Sequence, residues 1–321
     1  LQMLLDGGTA ADAAIAAAAT LNVVEPMSTG LGGDAFALVY HAADRKVYAL
    51  NASGRAPLAA TAERYREMGH ERMPRKGMLA VTVPGSAAGW ADLLDRFGRL
   101  GLDRVLQPAI HYATEGYPVT EVIAGQWQDG EAYLEQDEEA RRVFLPGGRA
   151  PRSGQRFACP DLAASLRQVA EQGPDAFYRG PIAEAIAATS RALGGLLTEE
   201  DLARHTSTWV DPIHIDYRGL RVYECPPNGQ GITALMALNI LSGYDLPAIE
   251  FASADALHWK MEAIKLAMID AARYVADPAM APVPVEGLLA PEYAAERRGL
   301  ISAERAIATP TPGMPCSGDT V

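Results

Sequence analysis

At 321 residues the chain can form one large domain or two ordinary ones, and a composition of 49% apolar and 21% charged residues fits a globular protein with a substantial core and excludes a disordered chain. The net charge of −12, without any basic cluster, excludes the footprint that nucleic acid requires. The most apolar stretch, Ala10 to Val24, is mostly alanine and is interrupted by Asp12 and Asn22, so it predicts a buried helix and no membrane association.

In chain order, Thr9 caps that Ala-rich helix and Asp12 occupies its first turn, where a negative charge meets the positive end of the helix dipole. Glu25-Pro26 ends the helix, and a turn over Gly30 to Gly33 feeds a hairpin of Phe36 to Tyr40 and Val47 to Leu50. Leu79 to Val83 is a short β-rich run stopped by Pro84-Gly85. Ser86 is then positioned to cap a helix carrying Trp90, Leu93, Leu94 and Phe97.

Val105 to Glu115 predicts another helix, and the polar, Gly-containing stretch from Gln126 to Arg156 predicts a surface excursion. Helices follow over Pro160 to Gln172 and Ile182 to Leu193, then a short one capped by Thr198, then strands over Ile213 to Tyr217 and Leu220 to Cys225. A helix runs from Ile232 to Leu241. Ala254 to Val275 is the longest helix, with Leu257, Met261, Ile264, Met268 and Ala272 on one stripe expected to face the core. From Ala281 onward prolines accumulate around a short helix near Tyr293. Alternating helices and strands without a hydrophobic break predict one mixed α/β layered domain.

Taken singly, the chemical signals are modest. Gly30-Leu31-Gly32-Gly33 follows a helix and precedes a strand, the reverse of a dinucleotide loop, and reads as a tight turn. Six histidines are scattered without metal-ligand spacing, and Cys159, Cys225 and Cys316 lack any paired pattern, so neither metal nor cofactor is expected. His258 and Glu262 share a helical face, which fits a surface pair or a hydrogen bond at the core edge. No G-x-S-x-G pentapeptide is present. Arg55, between Gly54 and Pro57, is held near a turn, where it is either a solvated side chain or a two-point grip for a carboxylate. Pro226 to Gly231 is either a plain turn or, with its amides at a helix start, the lining of an anion or oxyanion pocket. Thr320 has no distinction by composition alone. A Thr freed at its amine can, however, act as nucleophile with its own α-amine as the base.

The order of the motifs is more informative than any one of them. Gly7-Gly8-Thr9-Ala10-Ala11-Asp12, Val24-Glu25-Pro26 with Gly30 to Gly33, Ala80-Val81-Thr82-Val83-Pro84-Gly85 and Gln107-Pro108-Ala109 are followed by Asp175-Ala176-Phe177-Tyr178 and Leu197 to Leu202. Asp216-Tyr217-Arg218-Gly219, Pro226-Pro227, Glu262 to Ala267, Arg273-Tyr274 and Asp277-Pro278 complete the series. In this order the chain resembles the γ-glutamyltranspeptidase family from end to end.

The resemblance implies an N-terminal-nucleophile hydrolase fold, an αββα sandwich in the α/β (α+β) class, with residues 1–319 as the large-subunit part of one domain and 320–321 opening the small subunit. It implies a precursor that cleaves itself between Asp319 and Thr320 and then uses Thr320 to transfer or hydrolyse γ-glutamyl-like amides, with no cofactor and no metal. Its partners would be the amide substrate and its own small subunit, which in the family supplies much of the glutamyl pocket. A higher oligomer is left open. Standard members open an Arg-Glu-x-Ala-Pro motif with an Arg that binds the substrate α-carboxylate. Aligned on Ala56-Pro57, that position is Ser53, and Arg55 stands nearer the Pro. The chain therefore looks closer to the divergent branch of cephalosporin acylase-like and oxamate-like amidases. Arg55 is a candidate anchor from its shifted position, and the third alternative is an unprocessed, non-catalytic member. Leu1 inside an apparent helix implies an N-terminus further upstream. The expected compartment is the cytoplasm, with periplasm or secretion as alternatives.

Overall fold

The computed structural model describes residues 1–315. In chain order, α1 (Gln2–Leu5) and α2 (Ala10–Val24) precede the strands β1 (Ala35–His41) and β2 (Lys46–Ala52). Then come α3 (Ala62–Glu67), α4 (Ser86–Phe97), α5 (Leu102–Val105), α6 (Gln107–Glu115), β3 (Tyr117–Pro118), α7 (Glu121–Leu134), α8 (Glu138–Phe144) and β4 (Arg156–Phe157). They are followed by α9 (Pro160–Gln172), α10 (Asp175–Tyr178), α11 (Pro181–Ala192), α12 (Glu199–Ala203), β5 (Thr208–Val210), β6 (Ile213–Tyr217) and β7 (Leu220–Glu224). The last helices are α13 (Gly231–Leu241), α14 (Ala254–Tyr274), α15 (Val285–Leu289) and α16 (Pro291–Arg298). The chain mixes helix and sheet, as its sequence predicts, and divides into two compact units.

The first unit comprises residues 1–35 and 52–207 and is mostly helical. In α2, Thr9 and Asp12 form a reciprocal capping box, and small buried residues such as Ala16 and Ala19 let the helix pack against α4 and α6. Asp12 is fully buried. Its carboxylate accepts hydrogen bonds from the amides of Thr9 (2.6 Å), Arg99 (3.0 Å) and Leu100 (2.9 Å), tying the loop after α4 to the start of α2. Burial by itself would raise the Asp12 pKa, but these bonds outweigh it and hold the carboxyl below its usual range.

Three expectations for this unit are corrected. Residues 126–156 lie largely at the surface but are mainly helical rather than turn-rich: Asp137 caps α8, and Trp127 of α7 is buried, donating from Nε1 to the Phe144 carbonyl (2.9 Å). Gly130, which suggests a turn in the sequence, sits within α7 with open space beside it. The Leu79 to Val83 run is not a strand, since Met78–Ala80 is a 3₁₀ turn and the rest joins no ladder. Ser86 also does not cap α4, because its hydroxyl donates to the Gly33 carbonyl (2.8 Å).

The second unit comprises residues 36–51 and 208–321. β1, β2 and β5 form a sheet in that order, with β2 and β5 antiparallel and Leu50 opposite Trp209. β6 and β7 form an antiparallel hairpin in which Ile215 faces Val222. Ile232 and Met236 of α13 pack with Ala267 of α14, Leu288 and Tyr293, and Ile240 and Leu241 pack with Ala263, Leu266 and Ala294.

α14 has the expected extent but buries a different face. Leu257, Met261, Ile264 and Met268 are between 47% and 64% exposed, whereas Ala263, Leu266 and Ala267 are buried together with Glu262 and Asp270. Hydrophobicity alone selected the wrong stripe, because the two buried carboxylates are stabilised by partners remote in sequence.

Candidate functional site

Arg55 sits where two stretches of the first unit cross backbone to backbone. A side chain at Gly54 would overlap the Val83 carbonyl, and one at Gly85 would overlap the Ala52 carbonyl, so only glycine permits the approach. The Val83 amide donates to the Arg55 carbonyl (3.0 Å), and the Gly54 amide donates to Asp34 Oδ1 (2.8 Å). The Gly33 carbonyl accepts from the amides of Gly85 and Ser86, both at 2.9 Å. The Gly30 to Gly33 turn thus anchors the crossing, consistent with its sequence reading as a tight turn.

Above this rigid backbone the Arg55 side chain is exposed and lines a cleft of about 240 Å³ with Leu58, Asp201, Arg204, His205 and Thr206. Asp201 is occupied structurally. Its Oδ2 accepts from the Thr198 hydroxyl (2.6 Å) and amide (2.9 Å), closing the capping box of α12, while Oδ1 accepts from the Leu58 amide (2.7 Å). Arg204 reaches Glu200 at 3.3 Å across an exposed i,i+4 pair, a weak bond that a ligand can replace. The Arg55 guanidinium has no ion-pair partner among the described residues. Two guanidinium groups and an engaged carboxylate suit the cleft to an anion.

His205 was not singled out by the sequence. Both its ring nitrogens are shielded from solvent without a hydrogen-bond partner among the described residues, and the ring stacks on Tyr178 (centroids 5.2 Å apart, planes at 25°). Tyr178 is fixed in turn, its hydroxyl donating to the Pro84 carbonyl (2.8 Å) and accepting from the Ala88 amide (3.2 Å). Burial, then the positive charge of Arg55, lower the His205 pKa against the smaller opposing effects of Asp34 and Asp92. Only the composite of α10, α12 and the residue 83–88 stretch creates this environment, and no local pattern announces it.

Because the folded imidazole titrates below the ordinary value of about 6.5, the unfolded chain takes up a proton first as pH falls. Stability is therefore lost as pH drops through about 6.5, with a limiting slope of about 1.4 kcal/mol per pH unit. His205→Phe, which keeps a ring against Tyr178, is expected to flatten the difference in unfolding free energy between pH 7.5 and 5.5. Parallel wild-type and variant profiles in chemical denaturation would rule this out.

The other sequence candidates lie elsewhere. Asp319, Thr320 and Cys316 fall outside the described residues. The Pro226 to Gly231 turn is in the second unit, where Asn228 Oδ1 accepts from Asn51 Nδ2 (2.7 Å). His258 donates from Nε2 to the Ser302 carbonyl (2.7 Å), and the buried Glu262 bonds Lys265 and the Ile307 amide, so the two sit at the core edge with separate partners.

The fold is that of the N-terminal-nucleophile hydrolases. It matches the crystal structure of cephalosporin acylase from Bacillus halodurans with a TM-score of 0.91 at 46% identity, covering 98% of this chain and 59% of that one. It also matches γ-glutamyltranspeptidase of Helicobacter pylori with a TM-score of 0.90 at 30% identity, covering 98% of this chain and 91% of the other. Among curated relatives, the glutathione hydrolase-like YwrD proenzyme of Bacillus subtilis (strain 168) is 38% identical over 99% of this chain. The chain spans 60% of that relative's length. The family model described as Gamma-glutamyltranspeptidase matches residues 1–319, and the chain belongs to this family.

Proposed function

We propose that the chain is the large-subunit part of a self-processing amide hydrolase or acyltransferase whose nucleophile is Thr320. The observation that carries this reading is a difference in coverage. The chain accounts for 60% of a proenzyme relative but for 91% of a solved γ-glutamyltranspeptidase chain, as expected where a precursor is divided into two chains. Asp319-Thr320 is then the division point.

In processing, the Thr320 hydroxyl attacks the Asp319 carbonyl carbon. The peptide C–N bond breaks as the C–O bond forms, and the hydroxyl proton passes to the departing amine. Water then hydrolyses the ester, leaving a carboxylate on Asp319 and both a free amine and a free hydroxyl on Thr320. In turnover the same hydroxyl attacks the substrate amide carbon while the new amine takes its proton and passes it to the leaving amine as the C–N bond breaks, and water or a second amine then cleaves the resulting ester to release the acyl group.

The acyl group is expected to bear a carboxylate held by Arg55, which projects into the cationic cleft beside Arg204. Ser53 at the position of the standard anchor and the 46% identity to a cephalosporin acylase favour a second reading on the same fold, an acylase for a des-amino acyl group. Mass spectrometry of the natural full-length product tests the processing, since an uncut chain has no free N-terminal nucleophile. Comparing γ-glutamyl and glutaryl anilides separates the two acyl preferences. Arg55→Ala is expected to raise KM for both by about 10- to 100-fold, the worth of one charge-assisted interaction. Unchanged rates on both substrates would remove Arg55 from the site.

A further inference from the structure

The stretch from Ser302 to Gly313 has no regular structure, yet α14 and α16 bind its backbone at four residues. His258 donates to the Ser302 carbonyl (2.7 Å). Four and seven residues further along α14, an ion pair grips both polar groups of one peptide residue. The Ile307 amide donates to Glu262 Oε2 (2.9 Å), Lys265 Nζ donates to the Ile307 carbonyl (3.0 Å), and Lys265 and Glu262 meet at 2.6 Å.

The last station is the most enclosed. The Gly313 amide donates to Asp270 Oδ1 (2.9 Å), and the Tyr274 hydroxyl donates to the Gly313 carbonyl (2.7 Å). Arg297 of α16 lies 3.0 Å from the second oxygen of Asp270 and donates to the Thr311 carbonyl (2.7 Å). A side chain at Gly313 would run into the Tyr293 phenol, which would have to shift to admit it.

Three features distinguish this from ordinary loop packing. The α14 groups at 258, 262, 265, 270 and 274 contact strap residues 302, 307 and 313 in the same order along the chain, so helix and strap run in register. All the strap groups that accept or donate in this ladder are peptide groups, so its hydrogen bonds fix a backbone path, with the Ile307 side chain packed against the α13 and α14 core and Gly313 leaving room for Tyr293. Glu262, Asp270 and Arg297 are also almost wholly buried, and burying ionised groups is a poor way to add stability but an effective way to specify one arrangement.

We propose that this ladder, and above all the Asp270, Arg297 and Tyr274 clasp on Gly313, positions the strap for self-cleavage six residues beyond, between Asp319 and Thr320. The inference rests on the processing reading given above. These are positioning residues: a six-residue tether spans at most roughly 20 Å, so an anchor at Gly313 limits how far the scissile bond can stray from its reacting geometry. An anchor of that reach narrows the volume the scissile bond samples, so releasing it lowers the effective concentration of that bond at the place where it reacts.

The test uses the natural full-length product with Tyr274→Phe, which removes one hydroxyl and keeps the ring, and with Asp270→Asn. Three quantities are read: the rate of precursor cleavage by intact mass, Tm, and turnover of two-chain enzyme made by co-expressing residues 1–319 with a separate chain beginning at Thr320. Tyr274→Phe is expected to slow cleavage about 10-fold or more while Tm moves by only a few degrees and the pre-divided enzyme keeps wild-type turnover. Asp270→Asn is expected to slow cleavage further. Cleavage at the wild-type rate in Tyr274→Phe overturns the proposal even if Asp270→Asn does not fold. So does a loss of turnover in the pre-divided Tyr274→Phe enzyme that matches its loss of cleavage, since that marks a merely structural role. A wild-type product that never cleaves overturns the processing reading itself, a result visible before any variant is compared.

Discussion

Thr320→Ala is expected to leave the natural full-length product as one polypeptide and to lower amide hydrolysis by at least about 1,000-fold. Both effects have one origin. On the proposed reading, alanine lacks the hydroxyl that would attack Asp319 in processing and the substrate carbonyl in turnover, and without processing no α-amine is freed to serve as base. Thr320→Ser separates the steps: it retains an attacking oxygen and is expected to cleave and turn over, more slowly than the wild type. A Thr320→Ala product that still divides into two chains and still hydrolyses a γ-glutamyl anilide would sink the assignment of Thr320.

Asp12→Ala is expected to destabilise the protein by about 3–5 kcal/mol, since it leaves three part-buried backbone donors without an acceptor at about 1–3 kcal/mol each, partly relieved by entering water. The donors are the amides of Thr9, Arg99 and Leu100, two of them nearly ninety residues from Asp12, so the loss loosens a helix start and a remote loop together. Asp12→Asn retains one acceptor oxygen and is expected to cost less. The pH dependence has a definite sign. A carboxyl held below its usual pKa stabilises the fold above the unfolded value of about 4 and loses that contribution as pH falls through the folded value. The gap between wild type and Asp12→Ala in chemical denaturation should therefore be full at pH 7 and shrink in strong acid. A gap under about 1 kcal/mol at pH 7 would show that water replaces the carboxylate at little cost.

Local rules made much of the fold readable. The Thr9 and Thr198 caps, the hairpin strands β1 and β2, and the extent of α14 follow from capping chemistry and periodicity, and the structure has them. Where reading failed, a long-range contact outweighed a local preference. The exposed Leu257 to Met268 stripe exceeds the true core face of α14 in hydrophobicity, and Glu262 and Asp270 become buried only because Ile307, Gly313 and Arg297 reach them. Val81 to Val83 has strand composition, but a glycine crossing takes the place of a ladder. The site divides in the same way. Arg55 could be flagged from the turn that holds it, whereas His205 gains its significance from Tyr178 and Arg55, which only folding brings near.

The crossing at Gly54 and Gly85 separates what must not change from what can. Its geometry is set by backbone hydrogen bonds and by two positions that admit no side chain, while the groups lining the cleft, Arg55 and Arg204, are exposed and add little to folding. Exchanging either of these two side chains therefore draws little on the narrow stability margin on which proteins operate, unlike Asp201 and His205 of the same cleft, which are tied into the fold. A lineage built on such a frame can vary the charge and shape of the cleft at almost no risk to folding, and selection can act on what the cleft binds one side chain at a time.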